Sequence, residues 1–267
     1  MGMLYDTTKC IGCKACVAAC SVANDMQPDR GPDGLHLAPL DLSGRTKNVI
    51  KLFKEGEKTS FMKSQCMHCV DPACASACML HSLHKNETTG IVEYDPRYCV
   101  GCRYCQMACP FNVAKFEFEK AAPKIVKCEL CRHRVGEAKL VENGGFSRYE
   151  RGHGPACCEV CPAGAVVYGT RQELLAEAKR RIAANPGAYV PHVYGETEAG
   201  GTQVLYLSHV PFEKLGLPAL GPQGVPHTAY TIQVGLYRGF IAPVVLYGAL
   251  GAVLWRNRKM AGGEVKP

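Results

Sequence analysis

Apolar positions along this chain gather in short stretches, and one long helical face and one long uncharged run stand apart from them. Leu4 and Tyr5 end an apolar stretch that predicts a short strand, and Asn48–Phe53 predicts a second. The second follows an opening rich in turn formers (Pro28, Gly31, Pro32, Gly34) within an excursion over residues 21–62. Gly90-Ile-Val-Glu-Tyr-Asp95 repeats the reading of Met3–Asp6: strand, then aspartate. Over Ala114–Phe118, Lys115, Glu117 and Glu119 alternate with Phe116 and Phe118, the period of a half-buried strand. Thr170-Arg-Gln-Glu173 is a capping box that opens a helix. Leu174, Leu175, Ala178 and Ile182 form its apolar face, and Asn185-Pro186 ends it. From Pro186 to His227 proline and glycine recur without periodicity, which predicts an extended arm that needs a surface to lie on.

The uncharged run is Gly239–Trp255, 17 residues, extended upstream by Ile232–Tyr237 past a single Arg238. Together they approach the ~20 residues that cross a bilayer. Arg256, Arg258 and Lys259 follow, which by the positive-inside rule puts that end in the cytoplasm. Tyr237, Tyr247 and Trp255 suit the interfaces, and Arg238 suits snorkelling. The terminal position, the basic flank and the lack of a polar face favour a membrane anchor over a buried soluble helix.

Composition adds one outlier. The 267 residues hold 17 cysteines, while apolar content is ordinary for a globular chain. Their Cys-x2-Cys spacing points to metal or cluster ligation rather than to disulfides. The net charge of +7 comes from scattered Lys and Arg, with no basic run suited to nucleic acid. Four thiolate-held clusters at about −2 each would add about −8 and nearly neutralise it. No nucleophile–base pair, phosphate loop or dinucleotide fingerprint is present, so a substrate site of the chain's own is not expected.

Sixteen of the cysteines fall into four sets. Cys99-x2-Cys102-x2-Cys105-x3-Cys109-Pro110 is the run with which bacterial ferredoxins hold [4Fe–4S] clusters, three ligands to one cluster and the fourth to another. Cys10, Cys13, Cys16 and Cys20 repeat the spacing, with Ser21 in the proline's place. Cys66, Cys69, Cys74 and Cys78 repeat it with the second gap widened by Asp71-Pro72, and with Met79 where proline is expected. The last set is split: Cys128-x2-Cys131, the Gly-rich charged stretch Arg132–Ala156, which reads as a surface loop, then Cys157-Cys158-x2-Cys161-Pro162.

Applying the exchange rule pairs the second set with the third and the first with the fourth. Four sites are expected. Site 1 is Cys10, Cys13, Cys16 and Cys161; site 2 is Cys20, Cys128, Cys131 and Cys157. Site 3 is Cys66, Cys69, Cys74 and Cys109; site 4 is Cys78, Cys99, Cys102 and Cys105. Cys157 is preferred to Cys158 because Cys-x3-Cys-Pro then repeats the spacing of Cys105 and Cys109; Cys158 is read as a small buried hydrophobe. His68, between two ligands, is read as a neighbour of the cluster or a surface residue rather than a ligand. Lys9, Lys14, Arg103, Lys127 and Arg132 either raise nearby potentials or are solvated surface. Zinc is the competing occupant of any isolated Cys-x2-Cys pair, which would make the chain a structural interaction module. Three tight triplets and two Cys-Pro exits favour iron–sulfur.

The fold class expected is α+β: two nested bacterial-ferredoxin-like units with short β-hairpins and helices, an extended arm and one C-terminal transmembrane helix. The expected boundaries are 1–185 for the four-cluster domain, with an inner unit 66–109 inserted in an outer unit 10–20 plus 128–161. The arm follows at 186–230, the anchor at 231–257 and a cytoplasmic tail at 258–267.

Four cysteine sets in this order resemble the four-cluster electron-transfer subunits of membrane oxidoreductases, such as formate dehydrogenase and polysulfide or dimethyl-sulfoxide reductase. Gly2-Met-Leu-Tyr-Asp6, Gln65-Cys-Met-His-Cys-Val-Asp-Pro72, Gly101-Cys-Arg-Tyr-Cys105 and Cys161-Pro-Ala-Gly-Ala-Val166 look like the HybA-type subunit of the second-type [NiFe] hydrogenase. So do Pro191-His-Val-Tyr-Gly-Glu196, Gly200-Gly-Thr-Gln-Val204 and the C-terminal run. The chain departs from that family at Met79 and at the N-terminus, where a twin-arginine leader would stand. Only nine residues precede Cys10, so an export signal is expected to be cleaved, omitted from this sequence, or carried by a partner. The resemblance implies a subunit on the periplasmic face of the cytoplasmic membrane. It would relay electrons between hydrogenase small and large subunits and an integral membrane quinone-reactive partner, in hydrogen oxidation or its reverse. A molybdenum oxidoreductase such as formate dehydrogenase is the alternative complex.

Overall fold

The computed structural model describes residues 1–27, 39–56, 58–135, 154–233 and 241–261. The turn formers Pro28, Gly31, Pro32 and Gly34, most of the loop expected between Arg132 and Ala156, and residues 262–267 of the expected tail lie outside them. The chain divides into two units, Met1–Val225 and Pro226–Pro267.

The first unit is built around β1 (Gly2–Asp6), which is buried at every position. Successive side chains of a strand face opposite ways, so a strand buried throughout needs a partner layer on each face. Leu4 faces Leu174 and Ala178 of the long helix and Leu205 and Leu207 of a later strand. Met3 and Tyr5 face a larger core shared with Val49, Ile50, Met62 and Tyr206. Leu4, Leu174, Leu205 and Leu207 are fully buried, each contributing about 2 kcal/mol by area.

The N-terminal cysteine run passes into α1 (Ala15–Ala23). A long hairpin follows, β2 (Asn48–Glu55) against β3 (Lys58–Gln65), in antiparallel register from Asn48–Gln65 to Glu55–Lys58. The middle of the chain holds the short helix α2 (Ala73–Ser76), the hairpin β4 (Leu83–Lys85) and β5 (Val92–Tyr94), and the helix α3 (Tyr104–Ala108). The small hairpin β6 (Lys115–Phe116) and β7 (Ile125–Val126) completes that region. Leu83, Val92, Tyr94, Cys105, Ala114, Phe116 and Ile125 form a separate small core there. Among the described residues, two single-turn helices follow, α4 (Arg132–Val135) and α5 (Ala156–Glu159).

The chain then returns to its start. β8 (Val166–Gly169) pairs antiparallel with β1, Met3 opposite Tyr168. The helix α6 (Arg171–Ala184) is the one marked by the capping box: Thr170 Oγ1 accepts from Glu173 N–H at 3.3 Å, and Glu173 Oε2 accepts from Thr170 N–H at 3.2 Å. Thr170→Ala is expected to cost about 1 kcal/mol, read as a lower denaturant midpoint at unchanged slope.

The aspartate that closes β1 fixes this helix. Asp6, fully buried, accepts from Arg181 Nη1 of α6 at 3.0 Å, from Tyr189 OH at 3.1 Å and from Thr8 Oγ1 at 2.6 Å. Its counterpart Asp95 caps the 3-10 turn Pro96–Tyr98, accepting from Arg97 N–H at 3.0 Å. The repeated strand–aspartate pattern thus makes a turn into the next cysteine run in both places.

The Pro/Gly-rich stretch after α6 folds back onto the unit. Its strand β9 (Val204–Leu207) pairs parallel with β1, giving the order β8-β1-β9. Just before β9, Val70 N–H donates to Gly201 O at 2.9 Å, and Gln203 N–H donates to His68 O at 2.9 Å. The surface this stretch lies on is therefore the loop of Cys66–Cys69.

The second unit holds two helices among the described residues, α7 (His227–Gln233) and α8 (Ile241–Ala261). These helices do not support the single-pass anchor expected over 231–257, of which residues 234–240 lie outside the described residues. No helix among the described residues is long and apolar enough to cross a membrane. Arg256, Arg258 and Lys259 lie in the last turns of α8.

Candidate cluster sites

Each cysteine loop turns on a left-handed residue just before its second cysteine: Gly12 (φ 69), His68 (φ 48), Gly101 (φ 72) and Leu130 (φ 49). Two loops add a second such residue just after it, Lys14 (φ 57) and Arg103 (φ 66). Left-handed residues at these points fold backbone N–H groups toward the cysteines. Gly12 N–H lies 3.4 Å from Cys10 Sγ and Leu130 N–H lies 3.4 Å from Cys128 Sγ. Ala165 N–H reaches Cys161 Sγ at 3.3 Å, and Asn24 Nδ2 reaches Cys20 Sγ at 3.6 Å.

The exits share a turn as well. Asn112, Gly164 and His81, each three residues beyond the last cysteine of a run, are left-handed and donate to that cysteine's carbonyl at 3.1, 3.3 and 3.1 Å. Met79, exposed in the place of proline, therefore leaves the exit of Cys78 unchanged.

All seventeen cysteines are free thiols. Cys10, Cys13, Cys16 and Cys161 line one cavity, bounded by Tyr5, Ile50 and Pro162. Cys20 lies within electrostatic reach of Cys128, Cys157 and Cys131. Cys69 lies within reach of Cys66, Cys74 and Cys109. Cys105 is within reach of Cys102, Cys78 and Cys99. The four groups also neighbour one another. Cys16 of the first lies near Cys157 of the second, and Cys105 of the fourth lies near Cys74 of the third. Between the second and third stands Lys127, whose charge acts on Cys66, Cys74 and Cys128.

Burial pushes the thiols of Cys16, Cys20, Cys66 and Cys105 up to about 12 and that of Cys131 up to about 11. Cys157 goes the other way. A hydrogen bond from Cys158 and, less, the charge of Lys63 lower it against its burial, while burial and that same bond raise Cys158, so the pair favours the thiolate at Cys157.

The polar neighbours divide into buried and exposed. Lys127 is buried, donating to Val92 O and, at 3.2 Å, to Cys128 O. Arg132 is more open and pairs with Glu93 Oε2 at 2.9 Å and Glu129 Oε1 at 3.2 Å. Lys9 and Arg103 are exposed, the latter with its guanidinium 4.9 Å from the Phe118 ring. His68 is no surface residue: it is fully buried and its Nδ1 accepts from Val92 N–H at 3.0 Å. Burial and then the nearby Lys127 charge hold its imidazole well below the usual range, so it is neutral. Its Nε2 carries the proton and turns toward the backbone of Cys128. Lys63, also fully buried, was not marked by the sequence, because a lysine in a strand pattern reads as a solvent-facing position.

The donor chemistry suits iron–sulfur clusters. Four soft thiolate sets are drawn into separate groups, with N–H groups aimed at the sulfurs.

Two models of a 4Fe-4S dicluster domain match the chain, over residues 57–171 and 9–82. The Hydrogenase-2 operon protein HybA of Escherichia coli O157:H7 is 40% identical over 97% of this chain and 85% of its own length. The iron–sulfur subunit of the nitrate-inducible formate dehydrogenase of Escherichia coli strain K12 is 36% identical over 77% of this chain and 67% of its own. A protein of Nitratidesulfovibrio vulgaris is 40% identical over 98% of this chain. The two domain matches make the chain a protein of the 4Fe-4S dicluster class. Within that class the chain belongs to the HybA family.

Proposed function

We propose that the chain is an iron–sulfur electron-transfer subunit that relays electrons through four [4Fe–4S] clusters. They would pass between the catalytic subunits of a [NiFe] hydrogenase and a quinone-reactive subunit of the membrane. The observation that carries this reading is the row of four cysteine groups, each next to another. Cys10, Cys13, Cys16 and Cys161 would hold the first cluster; Cys20, Cys128, Cys131 and Cys157 the second. Cys66, Cys69, Cys74 and Cys109 would hold the third; Cys78, Cys99, Cys102 and Cys105 the fourth. Bound there, each cluster supplies a one-electron carrier. The loops of Gly12 and Leu130 aim their N–H groups at the sulfurs and so stabilise added negative charge. Cys16, Cys20, Cys66, Cys105 and Cys128 are buried, while Cys13 of the first site and Cys102 of the fourth are exposed.

A structural zinc module suits the geometry less well. Among the described residues, no group of three or more His, Cys, Asp and Glu closes in the way a single ion requires. The hydrogenase complex is favoured over the formate dehydrogenase one because likeness to HybA extends over 97% of the chain, against 77%. The further share takes in segments outside the cysteine sets. The position at the periplasmic face, beside a quinone-reactive partner, rests on that family likeness and not on α8.

The test is purification of the tagged chain from detergent-solubilised membranes, with reduced-state EPR and iron and sulfide analysis. Copurification with a nickel–iron large subunit and four cluster signals is the expected result. A molybdopterin subunit in its place would move the chain to the alternative complex, and zinc without cluster signals would remove the conductor reading.

A further inference from the structure

Lys63 lies in β3, opposite Ile50 of β2, and is completely buried. Its backbone is fixed from the far side, where Tyr206 OH donates to Lys63 O at 2.8 Å. Its ammonium donates to Gln65 Oε1. Gln65 is itself held, since its Nε2 donates to Met3 Sδ at 3.0 Å. A buried ammonium with one neutral acceptor is an unfavourable arrangement unless negative charge lies close by. The side chains placed to supply it are cysteines of two different groups: Cys16 of the first, and Cys20, Cys128 and Cys157 of the second. Their attraction raises the lysine above its usual range against the opposing effect of burial. Lys127 differs, because backbone carbonyls of Val92 and Cys128 take its donors.

We propose that Lys63 is a potential-setting residue: a fixed cation shared by the first and second sites, which favours the reduced state of the cluster at each. This rests on the four-cluster reading above. Reduction of a cluster adds one electron and one negative charge, with no bond made or broken; the electron comes from the next site in the row. A cation buried between two sites stabilises that added charge at both, whereas a surface lysine is screened by water. Holding both potentials up together also keeps the step between them small.

The experiment is a redox titration of the full-length chain in its complex, followed by EPR, for wild type, Lys63→Met, Lys63→Gln and Lys63→Arg. In the Met and Gln variants, two of the four signals are expected to show at least a tenfold lower ratio of reduced to oxidised cluster at a given potential. That is a midpoint about 59 mV lower for a one-electron couple. The other two signals stay in place, and Arg restores the first two. Loss of iron from Met and Gln but not from Arg also supports the cation as the clusters' counter-charge. Unmoved midpoints at full iron content overturn the proposal, as does loss of iron from all three variants, which marks a steric role. Wild-type chain without clusters overturns this inference together with the reading beneath it; wild-type clusters with unmoved variants overturn this inference alone.

Discussion

Cys157→Ser is expected to remove one [4Fe–4S] cluster, about four irons per chain, while Cys158→Ser leaves the iron count unchanged. The two residues are adjacent, and spacing alone separates them only through the repeat of Cys-x3-Cys-Pro. The structure adds a physical distinction. Cys157 is buried, and the hydrogen bond from Cys158 and the charge of Lys63 favour its thiolate. A thiolate at neutral pH is what a cluster takes as a ligand. Cys158 is the donor of that bond, and a serine hydroxyl there can still donate. A serine at 157 offers a harder oxygen in place of a soft sulfur, a poor exchange for iron in a cluster. Iron and sulfide analysis with EPR of the two variants reads the outcome. Loss of iron from the 158 variant, with the 157 variant intact, would exchange the two roles.

Gly195→Ala is expected to cost the first unit about 3 kcal/mol, combining left-handed strain with overpacking. The glycine has φ +96, and an added Cβ would stand 2.6 Å from Val204 O and 2.4 Å from Thr202 Oγ1. Its surroundings leave little freedom to relax. Its carbonyl accepts from Thr202 N–H at 2.8 Å, and its own N–H donates to Glu198 Oε2 at 2.7 Å. The turn at 195 sets Tyr194 opposite Tyr206 and so holds β9 against β1. Denaturant unfolding would show a lower midpoint, and bleaching of the cluster absorbance should follow the same curve, since β1 leads directly into Cys10. An unchanged midpoint would show that the turn relaxes without disturbing β9.

The parts of this molecule that show in the sequence are those governed by local chemistry. The cysteine spacings, the aspartate turns at Asp6 and Asp95 and the capping box of α6 depend on neighbours within a few residues. Gly12 and Gly101 announce the left-handed turns of their loops, whereas His68 and Leu130 take the same conformation without a residue type that signals it. What stays hidden is set by distant packing. Val204–Leu207 is buried at every position, so it lacks the alternation that marks a strand, and the glycines and prolines around it read as an arm. Lys63 sits in a strand where charge normally means solvent, and only the fold shows cysteines from two groups around it. The C-terminal run has the composition of an anchor, but composition does not show that its basic residues Arg256, Arg258 and Lys259 lie inside the helix α8.

The strand that opens the chain is flanked by β8 on one side and by β9 on the other, so Met3 lies beside both Tyr168 and Val204. Those partners are made long after it, and contacts so far apart in sequence form late and slowly. At about 5–20 residues per second, Met3 waits roughly ten seconds or more on the ribosome for Val204. Cys10, which follows this strand, is thus among the last cysteines to find its lasting surroundings. Cys78, Cys99 and Cys105 instead pack on a small core drawn wholly from Leu83–Ile125, so the fourth group is free to gather first. Iron–sulfur loading that follows synthesis would begin in the middle of the chain and finish at its two ends together.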